Sequence, residues 1–523
     1  MKKLSAGLAV ILAALFLSAG MPANLAPVPA SVETITPEEL RMHLEFLASD
    51  ELGGRYTLAP NFGISARYLA AHLKSYGFQG AGKNGDFLQY FDVVSSRPDP
   101  GKTSLALTLD GKTTNYEMGS VYAFNSASGT ASGRIVFVGR GISSPAQKHD
   151  DYAGLNVKNK IVLIAAGSPE GVDRAKLSDS ELGDGAAAAH GAAGVLIVPE
   201  GRFAGFINDK GLKDRLLNRE DIRLASSNDV KLPRLTLTKE VSEKLLAAAG
   251  LSAKAIADAE KEHHPLKPVE LEASASLSVA FQEHKTRTQN VVGVLEGTDP
   301  KLKSEYVVFS AHYDHLQTAK DGGVFHGADD DGSGTVAILA IARAMAKDPP
   351  RRSILIVFHA GEELGLLGSE YNTDVAPAVP LEKIVADLNI DMIGRSKPEN
   401  DQESADAHLT DRRSVYLVGS DRISHELHQI SEATNEEFQK LRLDYLYNDP
   451  KDPERIYFRS DHWNYAKHDI PVIFYFAGTH VDYHRTTDTV DKIDFAKMAN
   501  ITRLVFETGW RVANLDHRLE KSK

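Results

Sequence analysis

The chain has 523 residues, 42% hydrophobic and 25% charged, which is longer than one hydrophobic core usually organises, so two or more domains are expected. Its 71 acidic and 59 basic residues leave a formal net charge of -12, which excludes a broad cationic face and, with it, nucleic acid or another polyanion as partner. There is no cysteine, so disulfides, thiolate ligands and a thiol nucleophile are excluded as well.

Residues 1–30 have the layout of a secretory signal peptide: Lys2 and Lys3, an apolar run over residues 8–17, then small residues at 18–20 and near Ala30. The apolar run is shorter than the roughly 20 residues a membrane helix needs, and no later stretch is long enough. The expectation is therefore an exported protein, periplasmic or extracellular, with no membrane partner once the signal is removed. Over residues 36–73 apolar positions recur at helical spacing (Leu40, Leu44, Leu47, then Ala66, Leu69, Leu73), and Thr36-Pro37-Glu38-Glu39 reads as a helix start. Residues 111–251 turn rich in Gly, Ser and Ala, with short β runs such as Arg134-Ile-Val-Phe-Val-Gly139 and Lys160-Ile-Val-Leu-Ile164. They read as a separate domain, bounded at 111–270. The charged run 252–268, with His263 and His264, is expected to be its exit linker, and strand-like sequence resumes at 289–295. Beyond Ser304, strands are expected at 306–310, 353–358, 384–390, 415–418 and 472–476, with long helices at 335–346 and 421–441. That alternation predicts an α/β domain with a mostly parallel sheet covered by helices.

Most of these strand candidates are followed within a few residues by histidines and carboxylates. The clusters are His312-Tyr-Asp314, Asp329-Asp-Asp331, Glu362-Glu363, Asp391 and His484. Ligands of open α/β sheets sit outside the carboxyl ends of the strands, so residues distant in sequence can meet there. Such a set of acids would repel and resist burial without counter-charge, and no lysine or arginine stands among the first four clusters. Divalent metal supplies that charge; imidazole with carboxylate suits zinc best, with manganese or cobalt as alternatives. Five ligands, one of them bridging, suit two metal ions. In His312-Tyr-Asp314 the aspartate is placed to accept the imidazole's other N–H, and in Glu362-Glu363 one carboxylate can bind metal while the other takes a proton.

The blocks Ser310-Ala-His-Tyr-Asp-His315, Gly327-Ala-Asp-Asp-Asp-Gly-Ser-Gly334, Gly361-Glu-Glu-Leu-Gly-Leu-Leu-Gly-Ser369, Asn389-Ile-Asp-Met-Ile-Gly394 and Tyr483-His-Arg-Thr-Thr-Asp488 resemble, in order and spacing, the M28 metallopeptidases. The resemblance implies a zinc-exopeptidase-like α/β sheet sandwiched by helices, acting on peptide substrates with two divalent ions. It implies that Asp330 bridges the ions, that His312 and Asp391 complete one site and Glu363 and His484 the other, and that Glu362 is the general base. Tyr483 matches a position that helps to stabilise the oxyanion, and Arg459-Ser-Asp-His462 matches a segment beside the substrate pocket, although Trp463-Asn-Tyr465 departs from the usual pattern there. Upstream, Leu47-Ala-Ser-Asp-Glu-Leu-Gly-Gly-Arg55 resembles the segment that precedes the catalytic sheet. The blocks Asp151-Tyr-Ala-Gly-Leu155 and Gly191-Ala-Ala-Gly-Val-Leu-Ile197 make the inserted domain similar to a protease-associated (PA) domain, β-rich and suited by analogy to limiting access by substrate size. The peptidase domain would then comprise residues 33–110 and 271–517.

An aminopeptidase is the leading expectation. The same core would serve a carboxypeptidase or dipeptidase if a cationic pocket held a terminal carboxylate, and Arg395, Arg455 and Arg459 are the candidates for one. A receptor-like binding protein would have lost a ligand or the base, and here none is missing. His359, His462, His468 and His480 are read as hydrogen-bonding or packing residues.

Overall fold

The computed structural model describes residues 25–522 apart from 125, 168, 170, 218–219, 227–231 and 263–265. The expected signal segment up to residue 24, and the pair His263-His264, lie outside the described residues. No helix among the described residues is long and apolar enough to cross a membrane.

The chain divides into two compact units, Met1–Phe91 with Arg287–Lys523, and Asp92–Thr286. These limits lie outside the expected 111–270. The reason is strand pairing: Ser104–Leu109 and Val269–Val279 pair antiparallel with each other, and Ser104–Leu109 also pairs with Lys112–Glu117, so these strands stay with the insertion. The sheet of the second unit continues through Gly129–Phe137, Ile161–Ala165 and Gly194–Val198, whose side chains close over a core that includes Ile135, Leu163 and Leu196. The expected linker at 252–268 is instead partly helical, Ala253–Lys261. Ser252 Oγ accepts from the Ala255 amide at 3.1 Å and Ile256 is fully buried, so a cap and one apolar anchor are enough to order a charged segment.

In the first unit, Thr36 caps helix α1 (Pro37–Leu47) by accepting from the Glu39 amide at 3.3 Å, as its sequence predicts, and α2 (Phe62–Ser75) follows. The sheet includes β1 (Leu88–Pro98) and β2 (Phe281–Leu295), both of which run past the limits of the unit, with β3 (Tyr306–His312), β4 (Ser353–His359), β5 (Ile384–Ile390), β6 (Ser414–Val418), β7 (Arg442–Asp444) and β8 (Val472–Phe476). Their spatial order is β1-β2-β4-β3-β5-β8-β6-β7. The four central strands β4, β3, β5 and β8 run parallel, while β2 and β6 join them antiparallel, so the sheet is mixed with a parallel heart. All residues of β4 and β5 are buried, the near-continuous apolar run expected of strands covered on both faces.

Helices α3 (Gly334–Lys347) and α5 (Phe495–Ala513) pack against β3 and β5. The apolar side chains Val308, Leu355, Val357, Phe474 and Phe476 form a core with Tyr457, Tyr465 and Ala466. Helix α4 (His425–Glu437) packs on α5. The approach of α5 to the sheet requires a glycine: a Cβ at Gly509 would stand 2.3 Å from Cζ of Phe309. Gly509→Val should therefore destabilise the protein by about 2 kcal/mol or more, read as a lower urea midpoint at unchanged slope; an unchanged midpoint would contradict this packing.

Candidate metal centre

The carboxyl ends of the four parallel strands bring the predicted clusters together. His312 ends β3, in register with His359 at the end of β4, Glu362 and Glu363 follow β4, Asp391 follows β5, and His484 lies on the loop after β8. Asp330 sits in the tight turn just ahead of α3, where Gly327 at φ 54° leaves no room for a side chain: a Cβ there would lie 2.2 Å from the Asp330 carbonyl oxygen.

Around these positions the donor atoms form two adjoining groups that share Asp330. His312 Nε2 lies 3.4 Å from Asp330 Oδ1 and 3.6 Å from Asp391 Oδ1. His484 Nε2 lies 3.1 Å from both Asp330 Oδ2 and Glu363 Oε2. Nitrogen and oxygen ligands about 2.0–2.1 Å from a tetrahedral zinc are about 3.3 Å apart, so both groups have the spacing of ligands around an ion. Glu362 stands slightly back, its Oε2 3.8 Å from His312 Nε2. His312, Asp314, Asp330 and Asp391 are buried, and Glu362 and Glu363 are largely so. The residues present therefore fit divalent metal, by charge and by spacing.

Two further triads meet looser geometry, His312 with Glu362 and Asp391, and His315 with Asp330 and Glu363. We favour the assignment with His484 over the one with His315. His315 Nδ1 approaches Glu363 Oε1 at 2.7 Å, a direct hydrogen bond that is shorter than the separation of two ligands on one ion, while its Nε2 is buried without a partner. His315 thus fixes one oxygen of Glu363 and leaves Oε2 facing His484. His315 stands inside the Ser310–His315 block, where the sequence gives it no role of its own; only its packing distinguishes it from a spare histidine.

The electrostatics follow from burial. Burial pushes the Glu362 carboxyl well above the usual carboxylate range, opposed by His312 and reinforced by Glu363 and Asp391. Asp391 is raised mainly by burial too, whereas at Asp330 the burial effect is overcome by His315, His312 and His484, which hold it well below its ordinary value. Tyr483, stacked on His484 with ring centroids 3.9 Å apart, keeps its phenol protonated through burial and the carboxylates around it.

One expected contact differs. His312 Nδ1 meets the backbone carbonyl of Asp314 at 3.2 Å, while the Asp314 carboxylate is 3.7 Å away. That carboxylate instead accepts from Thr57 Oγ1 at 2.7 Å and from the Glu362 amide at 3.2 Å. Asp314 therefore orients the Glu362 backbone as much as the histidine.

The neighbours of the ligands in sequence fasten the loops. Asp331 Oδ1 accepts from the amides of Gly334 and Met392, and Asp329 Oδ1 from that of Gly394, which ties the aspartate turn to the segment after β5. Asp488 Oδ2 accepts from the amides of Asp329 and Asp330 at 2.9 and 3.2 Å. Arg55, fully buried, donates to the carbonyls of Leu47, Tyr313, His326 and Gly327, clamping the loops that carry His312 and Asp330. The other histidines serve as hydrogen-bonding or packing groups: His359 meets the Tyr465 hydroxyl at 3.3 Å, His462 stacks on Phe474, His468 pairs with Asp374, and His480 lies 3.2 Å from Asp329.

Against known proteins, residues 290–509 match Peptidase family M28. The chain is 35% identical over 132 residues to a probable leucine aminopeptidase 2 of Aspergillus oryzae, covering 24% of this chain and 25% of that one. It is 28% identical over 178 residues to the aminopeptidase YwaD of Bacillus subtilis, covering 32% and 37%. The chain thus spans well under two thirds of either relative. Among solved structures, an aminopeptidase from Aneurinibacillus sp. strain AM-1 has the same fold, with a TM-score of 0.52 at 18% identity, covering 94% of this chain and 97% of that one.

Arg55→Met would leave three buried carbonyl oxygens and one half-buried one without their donor. We expect it to lower stability by about 3 kcal/mol or more and to weaken zinc binding at least tenfold in a competition titration with a chromogenic chelator. Unchanged zinc affinity in the folded variant would contradict its role as a clamp on the ligand loops.

Proposed function

We propose that this chain, whose residues 290–509 belong to peptidase family M28, is an exported two-metal aminopeptidase that removes N-terminal residues from peptides. The observation that carries the reading is the convergence of His312, Asp330, Glu363, Asp391 and His484 at ligand spacing around a shared Asp330. The relatives named as aminopeptidases support the choice of chain end. The mature protein takes its export from the signal-like residues 1–30, and the second unit is a PA module by its sequence blocks; both belong to this proposal.

Two zinc ions fit the donor set, and when bound they supply the missing positive charge, acidify water and polarise the scissile carbonyl. The protein's own groups do the rest. Glu362 is the general base: its backbone is held by Asp314 and its carboxylate stands just behind the ligand set, 3.8 Å from His312 Nε2, so it can take a proton from the attacking water and return it to the leaving amine. Tyr483, protonated and lining the same cleft, donates to the oxyanion that forms on the carbonyl. The acidic rim of the centre attracts the free α-amine of the substrate. A receptor-like reading is disfavoured because every ligand and the base are present.

Glu362→Gln should keep its metal, by elemental analysis, yet lose roughly 10²–10⁴ in kcat on aminoacyl chromogenic amides, because only proton transfer is removed. Full activity in this variant would overturn the general-base assignment. The unsubstituted protein should cleave free-amine amides but not N-blocked ones, and chelator should abolish cleavage reversibly.

A further inference from the structure

The cleft that opens on Asp330, Glu362 and Asp391 is walled on its apolar side by Met392, Ile456 and Phe474. Among the described residues one cation also lines it, Arg459. Among the described residues its guanidinium makes no hydrogen bond or ion pair, and it is not one of those with a further partner. The other two arginines that sequence analysis offered are engaged elsewhere: Arg395 pairs with Asp482 at 2.9 Å and reaches His480, and Arg455 lies over the Phe458 ring at 4.9 Å. Arg459 is solvent-exposed, so it remains hydrated and available until something enters the cleft.

Among the described residues no acidic side chain pairs with this guanidinium. A planar fork of donors is the group best matched to a carboxylate, and a bidentate pair gains strength when a bound ligand excludes water from it. We propose that Arg459 binds a carboxylate of the peptide substrate and thereby sets specificity, resting on the peptidase reading above. The carboxylate belongs either to the C-terminus of a very short peptide, which would make the enzyme favour dipeptides, or to the side chain of an acidic residue at the scissile bond.

The test uses zinc-loaded Glu362→Gln, which turns peptides over far more slowly, and calorimetric titration of two ligand pairs, Leu-Leu against Leu-Leu-amide and Glu-Leu-amide against Gln-Leu-amide, with the peptides checked for cleavage after each titration. In one pair the carboxylate member should bind on the order of tenfold tighter or better. Adding Arg459→Gln should remove that preference, and Arg459→Lys should restore part of it. A preference in the first pair identifies the terminal carboxylate, and one in the second the acidic side chain. Equal affinities in both pairs, or a preference that survives Arg459→Gln, overturns the proposal. Cleavage of Leu-Leu-amide by the unsubstituted protein, measured alongside, tests the peptidase reading separately, so either reading can fail while the other stands.

Discussion

Four carboxylates, Asp330, Glu362, Glu363 and Asp391, crowd around His312 and His484 at the end of the sheet. Removing several like charges from water is strongly unfavourable unless opposite charge is supplied at close range. The shifted proton affinities of Glu362 and Asp391 express that frustration directly. Divalent metal would resolve it, and the rest of the unit is the scaffold that keeps these acids in place.

That scaffold works through the backbone. Each loop that carries a ligand is tied to another by a carboxylate accepting amide protons or by Arg55 donating to carbonyls: Asp488 to the aspartate turn, Asp331 to the segment after β5, and Asp314 to Glu362. Such bonds fix where a main chain runs, and so fix side chains whose own ion-binding atoms must stay free. They also explain why the recognisable blocks are longer than the ligand set. Asp329, Asp331 and Asp488 bind no ion in this reading, yet they are needed for Asp330 to stand where it does.

Much of this was legible in the sequence for physical reasons. The buried parallel strands leave uninterrupted apolar runs, and chemistry placed just after strands is bound to converge, so β3, β4, β5 and β8 and the residues beyond them could be read in one dimension. What escaped depends on distances that spacing does not encode. Spacing alone does not separate His315, hydrogen-bonded to Glu363, from His484, at ligand spacing from it; only the resemblance of the block that begins at Tyr483 does. The partner of His312 turned out to be the Asp314 carbonyl, which every residue has and no sequence can advertise. The insertion's limits moved because Ser104–Leu109 and Val269–Val279 choose each other through long-range pairing, and the charged segment after residue 252 became helical on the strength of one cap and one buried isoleucine. Arg55 was noticed only as part of a block, its role as a clamp being visible once four carbonyls were seen around it.

The most direct measurement is the number of zinc ions the protein retains after equilibrium dialysis against buffered zinc, determined by atomic emission for the unsubstituted chain and for Asp330→Asn. The account predicts close to two per chain, and in the variant a loss of both tightly held ions, because the shared carboxylate serves both groups. Retention of no zinc, or a content untouched by Asp330→Asn, would contradict it.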